Sequence, residues 1–183
     1  KAEVAAITEA AMSGEIADYQ ESLRRRVALL VGLEAGVLDR VYRERLRLTD
    51  GAETLIGAAR QAGLKTLLVS GGFSHFTDRL KVRLDLDFTR SNMLEIRDGR
   101  LTGRLVGPLV DADAKAEALR DACARIGCST RQAIAVGDGA NDLKMMAVAG
   151  LSVAFRAKPV VQAQATWAIG HGGLDAILNL LPV

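Results

Sequence analysis

The stretch "VGDGANDLKMM", residues 136–146, places two aspartates, an asparagine and two glycines directly after the apolar run 133–136. The apolar run predicts a short buried strand, and residues 141–148 have the pattern of a helix. Because Asp138 and Asp142 are four residues apart, both carboxylates can face one point. Carboxylates held together repel each other unless a cation or a proton separates them, and hard oxygen ligands suit Mg²⁺. The stretch therefore predicts a magnesium site at the end of a buried strand.

Two other interpretations of this stretch are open. Asp138 or Asn141 could simply cap the helix that follows, although capping does not require three oxygen-bearing side chains. Residues 137–142 also begin like the dinucleotide-binding pattern G-x-G-x-x-G. They end in Asp142, however, and a carboxylate there would repel a pyrophosphate. This makes the dinucleotide hypothesis the weaker of the two.

The composition indicates an ordinary soluble domain. Of 183 residues, 49% are hydrophobic and 25% are charged, and 24 basic against 22 acidic side chains give a net charge of +2. Such a balance gives no reason to expect a nucleic-acid partner or a membrane surface. The longest apolar runs are about five residues, far below the roughly 20 that cross a bilayer. We therefore expect a cytoplasmic protein that binds a small ligand, with Cys123 and Cys128 reduced.

The chain divides into a helical part and an alternating part. Residues 1–48 repeat apolar side chains at helical spacing, which predicts three short helices. Asp50 and Glu53 resemble a capping pair that opens a further helix, and from there strands and helices alternate. Asp98-Gly99 suits a tight hairpin turn. This pattern predicts an α/β fold with a mostly parallel sheet.

A second loop is rich in small residues. Ser70-Gly71-Gly72 follows an apolar run and precedes a helix, where exposed N–H groups attract an anion such as phosphate. A glycine turn required only by geometry is the simpler interpretation. Lys115 opens a later helix, where it could reach phosphate oxygens or could equally be a solvated surface lysine. Considered together, the three segments predict one site. Ser70-Gly71-Gly72 would bind phosphate, Lys115 would offset its charge, and residues 137–142 would bind a metal ion.

In this order, "VSGGF", the helix-start lysine and "VGDGANDL" resemble motifs two, three and four of the haloacid dehalogenase superfamily. The segments "EAAMSGE", "ESLRRRVALL" and "RSNMLEIRDGRLTG" are similar to the members that act on phosphoserine. The resemblance covers nearly the whole chain. It implies a Rossmann-like parallel sheet core over residues 49–183, a small helical cap over residues 1–48, and a first core strand that lies outside the chain.

The resemblance also implies a role for each matching residue. Phosphoryl-binding residues would be Ser70, Gly71, Lys115 and Asn141. Asp138 would ligate Mg²⁺, and Asp142 would support the metal indirectly. Arg26 would pair with the substrate carboxylate, while Met12 and Tyr19 would close over it as apolar neighbours.

One motif of the superfamily has no counterpart at the expected place in this sequence. The motif D-x-D-x-T supplies the nucleophilic and acid–base aspartates, and we expect it upstream of the cap helices, outside this chain. The acidic cap residue that holds the substrate amine is missing for the same reason. Residues 85–89, Asp-Leu-Asp-Phe-Thr, fit the pattern letter for letter. They follow the Ser-Gly-Gly loop, however, and no buried strand precedes them, so we interpret them as a helix exit and a short strand.

The activity implied by the resemblance is Mg²⁺-dependent hydrolysis of O-phospho-L-serine through an aspartyl phosphate, a step of L-serine biosynthesis. The implied partner is a small phosphorylated amino acid, and a homodimer is a further expectation. One alternative is another phosphatase or phosphotransferase of the superfamily with a different small substrate. The other is a non-catalytic protein without a nucleophile.

Overall fold

The computed structural model describes residues 19–180. Of the three predicted helices before residue 48, two are confirmed, and the first, with Met12, lies outside the described residues. In chain order the helices and strands are α1 (Tyr19–Ala28), α2 (Gly36–Arg45), α3 (Ala52–Gln61), β1 (Leu67–Phe73), α4 (Ser74–Leu84), β2 (Phe88–Arg97), β3 (Arg100–Val106), α5 (Ala112–Ile126), β4 (Ile134–Gly137), α6 (Leu143–Val148), β5 (Leu151–Phe155), α7 (Pro159–Gln162) and β6 (Trp167–Ile169). Short 3₁₀ turns cover Thr130–Gln132, Ala140–Asp142 and Leu174–Leu180.

The helical pair α1 and α2 rests on the hairpin β2–β3. Buried side chains of both parts form one apolar cluster: Leu23, Val27, Leu38, Leu94 and Leu101. The connection between the helices bonds to β3, because the Gly32 N–H donates to the Leu101 carbonyl and the Leu101 N–H donates to the Leu33 carbonyl, each at 2.8 Å. At Gly103 a Cβ would lie 3.2 Å from the Ala28 Cα, so a glycine lets this strand approach α1 closely. The helices are thus fixed to a strand pair from the later part of the sequence.

The strands form two three-stranded sheets. In the first, β1 pairs with β2 in parallel and β2 pairs with β3 antiparallel; in the second, β4, β5 and β6 are all parallel. The hairpin predicted at Asp98-Gly99 is confirmed, with φ of 49° and 71° at the two turn residues, as a tight turn between twisted strands requires. The α/β alternation is therefore observed, and it is divided between two sheets.

One apolar core joins the two sheets. Its buried members come from α5, β4, α6, β5 and the segment after β5: Leu119, Cys123, Ala135, Met145, Met146, Ala149, Ala154, Ala157 and Val161. Leu67 and Val69 of β1 pack against this cluster although β1 belongs to the other sheet. Full burial of one such aliphatic side chain contributes about 1.5–3 kcal/mol. Because β1 and β4 pack on the same apolar core, their carboxyl ends belong to one domain.

Two local predictions were wrong in detail. The Asp50–Glu53 capping pair does not form; α3 begins at Ala52, and the residue before it, Gly51, has a left-handed φ of 79° and gives no side-chain cap. Instead Glu53 accepts a hydrogen bond from Arg83 at 3.0 Å. Strand β1 also continues through Ser70-Gly71-Gly72 to Phe73, with its pairing to β2 shifted between Ser70 and Phe73. None of the helices between residues 19 and 180 is long and apolar enough to cross a membrane.

Candidate active site

A buried ion pair lies at the centre of the site. The Lys115 Nζ on α5 donates to the Asp142 Oδ1 at 2.6 Å, and the two residues are only 6% and 5% exposed. Removing one partner of such a pair leaves an uncompensated buried charge, which costs about 3–5 kcal/mol. The sequence pattern left open a solvated surface position for Lys115. In the structure the lysine is instead held inside the protein.

The second oxygen of Asp142 shapes the loop after β4. Its Oδ2 accepts the N–H groups of Asp138 at 3.1 Å and of Gly139 at 3.2 Å. A Cβ on Gly137 would lie 2.5 Å from the Asp142 Cβ, so the loop packs directly against this side chain. Lys115 and Asp138 therefore lie on either side of one carboxylate. Neither Asp138 nor Asn141 caps α6, which begins after Asp142 without a side-chain cap; the Asp142 carboxylate instead closes the turn ahead of α6.

Asp138 itself is exposed at the end of β4, and its carboxylate takes part in none of the hydrogen bonds or ion pairs within residues 19–180. Asn141 is half-buried in the following turn. Both offer hard oxygen atoms, which suit Mg²⁺, whereas both oxygens of Asp142 are already used. Within the described residues no group of three or more His, Cys, Asp or Glu side chains could hold a metal. Asp138 and Asn141 therefore fit part of a magnesium site.

The Ser-Gly-Gly segment lies beneath the first residue of α1. The Ser70 Oγ accepts the N–H of Gly72 at 3.0 Å, which turns the backbone at the end of β1. A Cβ on Gly71 would collide with the Tyr19 hydroxyl. Burial raises the pKa of Tyr19, Arg26 opposes this increase, and Asp111 adds to it. Tyr19 is thus close to the loop, to Arg26 and to the start of α5.

The three arginines of "RRRVALL" differ in exposure. Arg24 and Arg25 are exposed and pair with Gln20 and Glu21 one turn earlier on α1. Arg26 is half-buried, and its Nε donates to the Ser22 carbonyl at 3.3 Å. The guanidinium of Arg26 therefore points away from the fully solvated side of the helix.

Sequence reasoning missed three polar residues that join these parts. Asn92 is 1% exposed; its Nδ2 donates to the Gly71 carbonyl and its Oδ1 accepts the Val110 N–H, both at 2.8 Å. Gln20 donates to the Asp111 carboxylate at 2.7 Å, and Asp111 also caps α5 by accepting the Ala114 N–H at 2.9 Å. These two hydrogen bonds hold the pKa of Asp111 below its usual value. A signal for Asn92 was present, since strand alternation puts it on the same face as the buried Leu94.

The false D-x-D-x-T match begins at a helix exit, as the sequence interpretation expected, and it lies at the other end of the sheet. Asp85 ends α4 with a φ of 51° and pairs with Arg60. Asp87 accepts the Thr66 N–H at 2.9 Å and pairs with Lys65, just before β1 begins. Ser70 lies about three residues further along β1, roughly 10 Å at 3.3 Å per residue. These carboxylates are therefore not part of the site.

This fold and site define a class of enzyme, and the comparison of sequences agrees. The family model described as haloacid dehalogenase-like hydrolase matches residues 2–147, so the chain belongs to that family. Within it, the chain is 60% identical over 185 residues to a phosphoserine phosphatase of Polaromonas sp., covering 99% of this chain and 78% of that protein.

Solved structures give the same comparison. A substrate-bound phosphoserine phosphatase complex superimposes with a TM-score of 0.90 at 37% identity, covering 98% of this chain and 85% of that one. A phospho-aspartyl intermediate analogue of phosphoserine phosphatase has a TM-score of 0.89 with the same identity and coverage. The likeness therefore extends over the helical pair as well as the α/β part.

Proposed function

We propose that this protein is a phosphoserine phosphatase, which hydrolyses O-phospho-L-serine to L-serine and phosphate. The observation that carries the proposal is the buried Lys115–Asp142 pair. Asp142 also binds the backbone of the Asp138 loop. The helix that bears Lys115 is connected to the Ser70-Gly71 segment through the two hydrogen bonds of Asn92. Within the family, the likeness to phosphoserine phosphatases supports phosphoserine as the substrate. The reaction serves L-serine biosynthesis.

Within this proposal the chain's own residues bind and orient the phosphoryl group. Ser70 and the N–H of Gly71 bind its oxygens at the end of β1, and Asn141 contributes an amide. A lysine ammonium has three N–H donors, and Asp142 uses one of those on Lys115. The other two can contact phosphoryl oxygens while Asp142 fixes the direction of the side chain. Lys115 then offsets the negative charge that an in-line transfer spreads over those oxygens.

We further propose that Mg²⁺ binds at this edge through Asp138, with Asp142 supporting it indirectly by ordering the loop. Family members are generally magnesium-dependent. When bound, the ion supplies charge neutralisation and orients the phosphoryl group. In this proposal its remaining protein ligands come from the D-x-D-x-T motif of the family.

The same motif supplies the nucleophile in this proposal. A carboxylate oxygen of its first aspartate bonds to phosphorus as the bond from phosphorus to the serine oxygen breaks, and the second aspartate protonates the leaving oxygen. Water then attacks the aspartyl phosphate, which releases phosphate and restores the carboxylate. The likeness to the phospho-aspartyl intermediate analogue supports this route.

Substrate selection in this proposal comes from α1. Arg26 binds the substrate carboxylate, and Tyr19 packs over the bound amino acid together with Met12. A cytoplasmic location and a homodimer remain predictions, the latter checked by sedimentation of the full-length protein.

The decisive test compares Lys115→Ala and Asp138→Asn with the parent full-length protein by the release of phosphate from phosphoserine. We expect kcat/KM to fall at least about 10²-fold in each variant, since each removes a charge that acts on the phosphoryl group. Asp138→Asn guards against misfolding, because Asp138 is exposed and unpaired within residues 19–180.

The matched control is Lys65→Ala, an exposed lysine at the opposite end of β1. Its turnover should equal that of the parent. Near-normal turnover of Lys115→Ala or Asp138→Asn would refute the proposed function.

A further inference from the structure

Asn92 is a buried polar side chain in the middle of a strand. It is 1% exposed, and both ends of its amide are used, each in a 2.8 Å hydrogen bond to a backbone group. It pairs with Phe73 where the register between β1 and β2 shifts after Ser70. Burying an amide costs free energy unless its hydrogen bonds are made, so this position requires a side chain that makes both bonds.

The two backbone groups belong to separate parts of the candidate site. The Gly71 carbonyl lies in the loop that binds the phosphoryl group. The Val110 N–H lies immediately before Asp111, which caps α5, and the Lys115 N–H then donates to the Asp111 carbonyl at 3.0 Å in the first turn. Val110 is itself 2% exposed, so the start of α5 is embedded at this point. One side chain therefore spans from the loop to the lysine-bearing helix.

We propose that Asn92 is a positioning residue for the phosphoryl group, setting the separation between the Ser70-Gly71 loop and the helix that presents Lys115. This inference rests on the proposed function and adds a residue that does not touch the substrate. At neutral pH the amide of Asn92 donates to a carbonyl and accepts from an N–H at once. An ionised aspartate accepts from Val110 but presents a second oxygen to the Gly71 carbonyl, which repels it.

A purely structural role would have a different outcome. If Asn92 only satisfied backbone groups left unpaired by the irregular strand, its loss would lower stability and leave phosphoryl recognition by the folded enzyme unchanged. Asn92→Asp separates the two roles, because pH alone changes whether its carboxyl group can donate a hydrogen bond.

The experiment uses Asn92→Asp in the full-length enzyme, with kcat/KM for phosphoserine measured from pH 5.5 to pH 8. At pH 8 we expect a loss of at least tenfold relative to the parent. As the pH falls, the buried carboxyl takes up a proton and can donate to the Gly71 carbonyl, so the ratio of variant to parent should rise. Asn92→Leu, which has neither group, should lose activity at every pH without this recovery.

Arg97→Gln is the matched control, because Arg97 is an exposed residue at the end of the same strand. Circular dichroism at each pH monitors folding. A parental kcat/KM for Asn92→Asp at pH 8, or a ratio that does not change with pH, overturns the positioning role.

Failure of the proposed function is recognised separately. If the parent full-length enzyme does not hydrolyse phosphoserine, the proposed function fails. Titration with inorganic phosphate then decides the positioning role: weaker binding by Asn92→Asp at pH 8 supports it, and equal binding overturns it.

Discussion

At the residue scale, Asp138 and Asp142 have different roles although the sequence presents them as a pair. Asp142 is buried, and both of its oxygens are occupied, one by Lys115 and the other by the backbone of the preceding loop. Asp138 is exposed, and its carboxylate is unpaired within residues 19–180. Spacing alone indicates that both can face one point. Burial and hydrogen bonding separate the carboxylate that is open to solvent from the carboxylate that holds the loop.

This difference predicts a stability effect for Asp142→Asn. The substitution keeps the shape of the side chain but leaves the Lys115 ammonium buried without a counter-charge. We expect the free energy of unfolding to fall by about 3 kcal/mol, measured by urea denaturation of the full-length protein.

Asp113→Asn is the comparison variant, because Asp113 pairs with Lys144 at a similar 2.7 Å but both side chains are more than half exposed. An exposed pair contributes little, so its loss should change stability by less than about 1 kcal/mol. Equal effects of the two substitutions would contradict the role given to the buried pair.

At the element scale, α1 reaches both the end of β1 and the start of α5 through its first two residues. Tyr19 covers Gly71, and Gln20 donates to Asp111 at the start of α5. The helix is therefore connected to the position of Lys115 through the cap of α5. Helix periodicity in the sequence located α1, but it contained no information on which strand or helix would receive it.

We predict that the Gln20–Asp111 contact couples α1 to α5. Gln20→Glu should raise KM for phosphoserine several-fold, because two carboxylates would then meet in place of a hydrogen bond. Steady-state kinetics check this, and Asp111→Asn, which can still cap α5, should restore much of the loss when combined with it.

Glu21→Gln provides the control for this pair, since Glu21 is on the same turn and its ion pair within residues 19–180 is with the exposed Arg25. Additive effects of Gln20→Glu and Asp111→Asn would show that the two side chains act independently.

At the scale of the whole molecule, the residues proposed for substrate choice and those proposed for phosphoryl chemistry lie in different parts of the fold. Arg26 and Tyr19 belong to the helical pair, whereas Ser70, Lys115 and Asp138 belong to the α/β part. The hairpin β2–β3 supports the helices, and β2 also carries Asn92. Strand β2 therefore contacts both the helical pair and the Ser70-Gly71 segment.

This division predicts a selective effect of Arg26→Ala. Loss of a charge-assisted hydrogen bond, about 1.5–3 kcal/mol, should lower kcat/KM for phosphoserine by at least tenfold. Hydrolysis of phosphoethanolamine, which lacks the carboxylate, should be unchanged. The two rates are measured side by side, with Arg25→Ala as the exposed control on the next position of α1.

An equal loss for both substrates would assign Arg26 a structural role. Unchanged phosphoserine hydrolysis would favour the alternative of a different small phosphorylated substrate.

The sequence by itself determined the alternation of helices and strands, the hairpin at Asp98-Gly99 and the segments of the candidate site, but it did not predict the short helix α7. These follow from periodicity and from backbone preferences of a few residues, which act locally. It also excluded residues 85–89, because no buried strand preceded them. The failure at Asp50 and Glu53 has a local origin and a tertiary one: Gly51 occupies the N-cap position of α3, and Glu53 accepts a hydrogen bond from Arg83.

Only the tertiary structure decided how these segments meet. The burial of Lys115, the division of labour between Asp142 and Asp138, and the contacts of Asn92 with Gly71 and Val110 join residues 18 to 27 positions apart. Such contacts depend on how β1, β2 and α5 pack around a shared core. Periodicity reports which face of a segment is apolar, and packing alone decides which polar group that face meets.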